Sequence, residues 1–171
     1  MKRFALTLLA PILAAFLPLA QAARADDTHS FEQLRKMSQV ELDSAYTELQ
    51  AGPLPDGDSA GTAVFFPGSA INDVTQRLAA LIWQGKVFDT ANGILVNKVL
   101  GFRAVKAKVY YGESLLDGRQ SIIIDYSKTS LLFSAVRDEI REVSPGLYLG
   151  RAYVRTLLGD RNVVNFILNF N

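Results

Sequence analysis

The chain contains no cysteine and only one histidine among its 171 residues, and these two shortages remove several kinds of chemistry. Without cysteine there can be no disulfide, no thiol nucleophile and no lipid attached to an N-terminal cysteine. The single histidine, His29, follows a predicted leader, which argues against a Ser-His-Asp triad and a histidine-rich zinc site. The sequence also lacks the G-x-S-x-G, P-loop and dinucleotide-binding glycine motifs. We therefore expect no metal ion and no cofactor, and we assign no catalytic residue.

An excess of either charge is also missing. The 18 Lys and Arg residues nearly balance the 17 Asp and Glu residues, which gives a formal net charge of +1. Proteins that bind nucleic acid normally carry a clear basic excess. The near-neutral balance predicts no electrostatic footprint for nucleic acid or anionic lipid. We therefore expect no nucleic-acid partner, and the composition leaves the oligomeric state open.

The first residues have the three parts of a secretory signal peptide. Lys2 and Arg3 form a basic head, residues 4–20 are apolar, and two small-x-small cleavage sites end at Ala22 and Ala25. We predict that residues 1–25 are the signal peptide. Residues 26–171 then form a single domain that works in the periplasm or outside the cell.

A retained membrane anchor is the alternative interpretation of the same stretch. Pro11 and Pro18 interrupt it, and it falls short of the ~20 clean apolar residues that a spanning helix needs. We therefore expect no stable membrane anchor.

Helix signals open the rest of the chain. Ser30 with Gln33, and Ser38 with Glu41, have the spacing of capping boxes, in which each partner satisfies a backbone amide at a helix start. Apolar residues in 40–49 lie mostly on one helical face. A turn-rich link over residues 53–61 and a short strand over 61–66 are predicted to follow. A second helix is predicted over residues 69–83, where apolar residues recur at helical spacing.

Strand patterns dominate the sequence after Gly85. Residues 136–143 contain helix formers, but their apolar stripe is thin and Pro145-Gly146 follows, so we favour a strand there. With residues 61–66, these runs make about six or seven strands separated by turn signals. The sequence predicts an α+β protein, mainly an antiparallel β-barrel preceded by two helices. The short run 86–89 is not counted among the strands, and the count is six without residues 94–99 and seven with them. The clearer strands after Gly85 cover residues 105–111, 121–126, 136–143, 147–155 and 163–170.

One short motif carries a resemblance to a known family. Residues 83–86, Trp-Gln-Gly-Lys, are similar to the W-x-G part of a G-x-W-x-G signature in small bacterial proteins, although Leu81 stands where that signature has its first glycine. The strands after Trp83 resemble a lipocalin-like (calycin) barrel. The segment with DYSKTS and VRDEIREVSPGLYLG also resembles an uncharacterised group of secreted bacterial proteins. The resemblance implies an apolar barrel interior with a bound hydrophobic ligand, and it transfers no catalytic residue.

The candidate ligand contacts are aromatic and charged residues whose side chains could point into the barrel, given the alternation of side chains along a strand. A pocket needs few polar groups to orient a ligand. Aromatic side chains on strands more often pack in a core. Charged residues are rarely buried, so the favoured alternative for the charged candidates is that they pair with one another on the solvent face. The candidates are Trp83, Tyr111, Asp125, Tyr126, Arg137, Glu139 and Tyr148.

Three functional classes remain open on the sequence. We favour an exported protein that binds a lipid or other apolar small molecule inside a barrel. An isomerase or hydrolase that uses carboxylates such as Asp125, Asp138 or Glu139 on an apolar substrate is the second class. A small outer-membrane barrel is the third. Against it, such a barrel should have at least eight strands and an apolar outer belt, whereas this chain spends about forty residues on predicted helices and presents Lys106, Lys108 and the charged run RDEIRE.

Overall fold

A computed structural model describes residues 29–65, 67 and 80–171 of the chain. The predicted signal peptide, residues 1–25, lies outside the described residues. So does most of the predicted helix over residues 69–83, although its last part, residues 80–82, is described and is helical.

Two helices precede the barrel, and both begin at the predicted capping boxes. Helix α1 spans Phe31–Leu34 and helix α2 spans Gln39–Glu48. Ser30 and Ser38 each accept a hydrogen bond from the backbone amide three residues later, and the side chain of that later residue accepts one from the cap's own amide. Both helix starts are therefore confirmed.

Eight antiparallel strands form a closed barrel in which each strand pairs with the next in sequence and β8 pairs with β1. This architecture confirms the predicted α+β barrel, although the barrel has eight strands and not the predicted six or seven. The strands are β1 Gly57–Val64, β2 Trp83–Asp89, β3 Ile94–Val99, β4 Phe102–Glu113, β5 Gln120–Asp125, β6 Val136–Ser144, β7 Leu147–Thr156 and β8 Gly159–Asn169.

The boundaries of β1 and β2 differ from the prediction. Strand β1 begins at Gly57, inside the predicted link, and β2 begins at Trp83 rather than Lys86. The start of β1 is Gly-Asp-Ser-Ala-Gly, which has no alternation of apolar residues. This segment becomes a strand because it pairs with β2, where Gly57 faces Phe88 and Ala60 faces Gly85. Such pairing is a tertiary effect that local composition does not show.

The up-and-down strand order gives the barrel two different ends. At one end, which we call the closed end, residues 50–56 cross the barrel, and Ala51 and Leu54 pack into its interior. The hydroxyl of Tyr148 donates to the Pro53 carbonyl at 3.0 Å, and that of Tyr111 donates to the Gly52 carbonyl at 3.0 Å. At the other end, which we call the mouth, the described residues include 65, 81–82, 100–101, 126–135 and 157–158.

The helices cover part of the outer barrel face and bury a second apolar cluster. Leu42 and Tyr46 of α2 pack with Val143 of β6, Leu149 of β7 and Ile167 of β8. Strands β6 and β7 are therefore buried on both faces, and residues 138–141 of β6 are all buried. This explains why their sequence does not alternate simply between apolar and polar residues.

Arg141 on the outer face of β6 joins the helices to the barrel. Its side chain is 0% exposed and donates two hydrogen bonds of 2.7 Å to the carboxylate of Asp117. It also donates to the Tyr46 carbonyl at 2.8 Å and to Ser121 Oγ at 2.9 Å, while its guanidinium carbon lies 4.6 Å from the centre of the Tyr46 ring. One buried cation thus holds α2, the β4–β5 loop and two strands together.

We expect Arg141→Met to lower the free energy of unfolding by about 3 kcal/mol. The substitution removes one partner of a buried ion pair and leaves the surrounding hydrogen-bond acceptors without a donor. Urea unfolding measures this loss. The control is Arg155→Met, since Arg155 is 69% exposed and lies 3.8 Å from Asp160, an arrangement typically worth less than about 1 kcal/mol. Equal losses in the two variants would contradict the role given to Arg141.

The Arg141–Asp117 pair also makes stability depend on pH. Hydrogen bonds from Arg141 are the main cause that holds the pKa of Asp117 below its ordinary value. The stabilisation is therefore present above the unfolded pKa of about 3.9 and is lost as the pH falls through the lower folded pKa. We expect Asp117→Asn to lower the melting temperature at neutral pH and the difference from the wild type to shrink in acid. A difference that stays constant or grows in acid would contradict this, and Asp160→Asn is the matched control.

Candidate functional site

The barrel interior is filled at the closed end and holds a cavity of about 390 Å³ toward the mouth. Apolar side chains make up most of its wall. This volume lies within the range of about 300–1,000 Å³ that is typical of small-molecule sites. Wall residues include Val99, Val105, Val136, Ala152, Val154 and Val164.

Four polar side chains meet at one part of the cavity wall, which we call the polar floor: Lys86, Asn97, Tyr126 and Asp138. The ammonium group of Lys86 donates to Tyr126 Oη at 2.7 Å, to Asn97 Oδ1 at 2.8 Å and to Asp138 Oδ2 at 2.9 Å. Lys86 is 3% exposed and Asp138 is 4% exposed. An ammonium has three N–H donors, so these contacts use all of them.

The other members of the polar floor bind one another as well. Tyr126 Oη donates to Asp138 Oδ2 at 3.0 Å, and the Asn97 amide donates to Tyr126 Oη at 3.0 Å. Trp83 Nε1 donates to Asn97 Oδ1 at 3.1 Å. Burial raises the pKa of the Tyr126 phenol well above its usual value, and the nearby Asp138 carboxylate raises it further. Tyr126 therefore stays neutral and keeps its proton for donation.

Aromatic rings complete the surroundings of the Lys86 ammonium. Its nitrogen lies 5.4 Å, 5.5 Å and 5.3 Å from the ring centres of Trp83, Tyr126 and Phe166. A cation within about 6 Å of an aromatic face is attracted by the negative face of the ring. The rings thus help to stabilise a charge that water does not reach.

The polar floor leaves one hydrogen-bond acceptor for a ligand. Asp138 Oδ2 accepts from Lys86 and Tyr126, whereas Oδ1 accepts no hydrogen bond from the residues that the structure describes. Asp138 lines the cavity. Because the charges of Lys86 and Asp138 cancel, the floor is polar but carries no net charge.

Glycines make room for the aromatic rings of the wall. A Cβ on Gly85, whose φ is +123°, would lie 2.1 Å from the Ser59 carbonyl oxygen, so β1 and β2 approach closely only with glycine there. A Cβ on Gly61 would lie 2.6 Å from the Trp83 ring. Gly85 is the glycine of the W-x-G motif. The motif therefore allows the Trp83 ring to pack against β1 at the cavity wall.

Strand β4 carries a strained bulge at the cavity. Val105 has a φ of +58°, and the register with β3 shifts at this point, so that Val96 faces Lys106 while Asn97 faces Ala104. A branched residue with positive φ is a conformational outlier. The Asn97 side-chain amide donates to the Val105 carbonyl at 2.9 Å and so ties the bulge to the polar floor. Bulges of this kind often redirect side chains next to functional sites.

The predicted aromatic candidates divide between the two ends of the barrel. Trp83 and Tyr126 line the cavity and take part in the polar network. Tyr148 lies inside the barrel but at the closed end, where its hydroxyl binds the Pro53 carbonyl and its ring packs on Phe170. Tyr111 is also at the closed end, bound to the Gly52 carbonyl.

The predicted charged candidates lie on the outer face of the barrel. Asp125 accepts from Ser127 N at 2.8 Å and from Tyr110 Oη at 3.3 Å. Arg137 and Glu139 form an ion pair of 3.0 Å beneath the β4–β5 loop, where Glu139 accepts from Leu115 N at 2.9 Å. These three residues do not meet Trp83 and Tyr126 at the cavity.

Sequence reasoning missed Lys86 and Asn97 as site residues. Each is a polar residue at a position that alternation makes equivalent to a core position, since Lys86 shares a face with Phe88 and Asn97 shares one with Leu95. A polar residue inside an apolar strand pattern is the signal that could have found them.

No family model matches the chain, and no curated protein matches it. A solved structure, described as a protein from Thermomonospora curvata, is similar with a TM-score of 0.53 at 16% sequence identity. The match covers 80% of this chain and 89% of the other. The two proteins share a fold. At this identity the likeness concerns the barrel alone.

In the part of the chain that the structure describes, no helix is long and apolar enough to cross a membrane. In the same residues, the His, Asp and Glu side chains form no group of three or more that could hold a metal ion.

A double-mutant cycle tests whether Lys86 and Asp138 act as one unit. We expect Lys86→Met and Asp138→Leu each to lower the free energy of unfolding by about 3–5 kcal/mol, because each leaves a buried charge without its partner. The double variant should lose clearly less than either single variant, since it leaves no charge behind. Urea unfolding of the four proteins gives the coupling energy. Additive losses would show that the two charges do not compensate each other.

Proposed function

We propose that this protein is an exported carrier that holds an uncharged, mainly apolar small molecule or lipid in the barrel cavity. The observation that carries the proposal is the cavity of about 390 Å³, apolar on most of its wall and fitted with one neutral polar floor. Pockets that combine an apolar wall with a few convergent polar groups are typical ligand sites. We place the protein in the periplasm or outside the cell on the basis of its leader.

The polar floor selects the chemistry of the ligand. A carboxylate would meet Asp138 without a free cationic donor, because Lys86 already uses its three N–H groups. A pure hydrocarbon would cover Asp138 Oδ1 and leave it unpaired, which costs free energy. A hydroxyl group can donate to that oxygen. The site therefore fits an apolar alcohol better than an acid or a hydrocarbon.

The polarity of the two barrel faces supports a carrier over a membrane-spanning barrel. A spanning barrel has an apolar outer face and a polar interior. Here the interior holds the apolar cluster, and the outer face of β4 exposes Arg103, Lys106 and Lys108. A helix-covered patch with buried Arg141 and Arg151 occupies another part of the outer face.

Proton transfer on a bound substrate is a second candidate function, favoured by one contact. The Tyr126 hydroxyl lies 3.0 Å from the Asp138 carboxylate at the cavity wall, which places a proton donor and an acceptor side by side. An isomerase could use such a pair. A carrier returns its ligand chemically unchanged, so analysis of the ligand after incubation separates the two functions.

Trp83 allows a direct binding test, because it is the chain's only tryptophan and lines the cavity. We expect dodecanol to change its fluorescence in a saturable way and to bind about tenfold more tightly than dodecanoate or dodecane, a difference of about 1.4 kcal/mol. Ala152→Leu should weaken binding, since it fills the cavity. The outward-facing Ala60→Leu is the matched control.

The double variant Lys86→Met/Asp138→Leu extends the same test to the polar floor. It should reduce the preference for dodecanol over dodecane, because Asp138 Oδ1 is removed while Asn97 and Tyr126 remain at the cavity wall. Failure of all three ligands to change the fluorescence would count against the carrier function. So would an equal loss of binding in the Ala152 and Ala60 variants.

A further inference from the structure

Exposed apolar side chains concentrate at the mouth of the barrel. The four most exposed large apolar residues among those described are Leu157 at 106%, Leu131 at 99%, Leu132 at 92% and Leu158 at 83%. They lie in the β5–β6 and β7–β8 connections, which both reach the mouth. The β3–β4 turn adds Leu100, so three connections present leucine to solvent around the opening of the cavity.

Leu100 occupies a backbone position that disfavours it. It has a φ of +51° and precedes Gly101 with a φ of +80°, in a two-residue turn between paired Val99 and Phe102. Turns with two positive φ angles prefer Asn-Gly or Gly-Gly. Leu100 is nevertheless 62% exposed, so its side chain gains little from packing. Neither turn geometry nor core packing accounts for a leucine here, and a partner outside the chain would.

Charge is separated between the two ends of the barrel, which the net charge of +1 conceals. Exposed Arg103, Lys128, Arg155 and Arg161 lie in or beside the mouth connections, where the exposed acid among the residues that the structure describes is Asp160. Exposed carboxylates at the closed end are Asp56, Asp89 and Glu113, with Arg119 among them. The exposed leucines of the mouth, which we call the leucine tips, are therefore surrounded by positive charge.

We propose that the mouth docks on the surface of an anionic lipid bilayer. The leucine tips enter the boundary between headgroups and acyl chains, and the basic residues contact the lipid phosphates. A second copy of the chain fits this face less well, because two mouths would bring like charges together. The inference goes beyond the proposed carrier function, since docking requires no ligand. Docking would also place the opening of the cavity against the bilayer, where apolar molecules dissolve.

Flotation with lipid vesicles tests the docking. The protein is used as the cell leaves it, with its N-terminus checked by intact mass, because an uncleaved leader would bind lipid by itself. We expect binding to vesicles of phosphatidylcholine mixed with phosphatidylglycerol, and at least tenfold weaker binding to phosphatidylcholine alone or in high salt. Leu157→Ser/Leu158→Ser should weaken binding at least tenfold. The control is Val40→Ser, because Val40 is 78% exposed on α2 and lies away from the mouth.

Leu100→Asn separates docking from folding. Asparagine tolerates the positive φ, so this variant should melt at a higher temperature than the wild type while binding anionic vesicles less well. A merely structural leucine would not show this opposite pair of effects.

Three results would overturn the docking inference. One is vesicle binding that the mouth substitutions leave unchanged, and another is an equal loss in Val40→Ser. The third is a dimer in sedimentation velocity that the same mouth substitutions dissociate, without any vesicle binding. Ala152→Leu separates the two proposals, because it should weaken dodecanol binding and leave vesicle binding intact.

Discussion

The structure depends on how the barrel accommodates the buried charge of Lys86. An ammonium in an apolar interior is costly unless it is paired and fully hydrogen-bonded. Asp138 supplies the opposite charge at 2.9 Å, and Asn97 and Tyr126 accept the remaining donors. Buried ion pairs rarely stabilise a fold more than apolar residues of the same size. The pair is therefore better explained by the polar but neutral floor that it gives the cavity.

The surrounding architecture supports that floor. Gly85 lets β2 approach β1 and seats Trp83, whose indole binds Asn97, and Asn97 in turn holds the strained bulge at Val105. On the outer face, Arg141 performs the corresponding task for the helices. Both centres use a buried cation with several acceptors to join segments that are distant in the chain. The closed end is covered by residues 50–56, so the cavity lies toward the mouth and its apolar rim.

The elements that could be predicted from the sequence are those determined locally. Capping boxes need only four residues, and strands with one buried face show their alternation. Lys86 and Asp138 are 52 residues apart, and only barrel closure brings them together. The inward side of β6 could not be predicted either, because the helices and the β4–β5 loop cover its outer face, so both Asp138 and Glu139 are buried. The start of β1 is small and polar, and it becomes a strand only by pairing with β2.

Native mass spectrometry of the protein, purified without denaturant and then incubated with a bacterial lipid extract, tests whether the cavity holds a ligand. We expect one neutral, mainly apolar molecule bound per chain, released unchanged by solvent extraction, and a lower occupancy in Ala152→Leu, whose larger side chain takes up part of the cavity. An ionised ligand would contradict the carrier function, as would equal occupancy in Ala152→Leu and the wild type. A chain that remains free of any adduct after the incubation would contradict it as well.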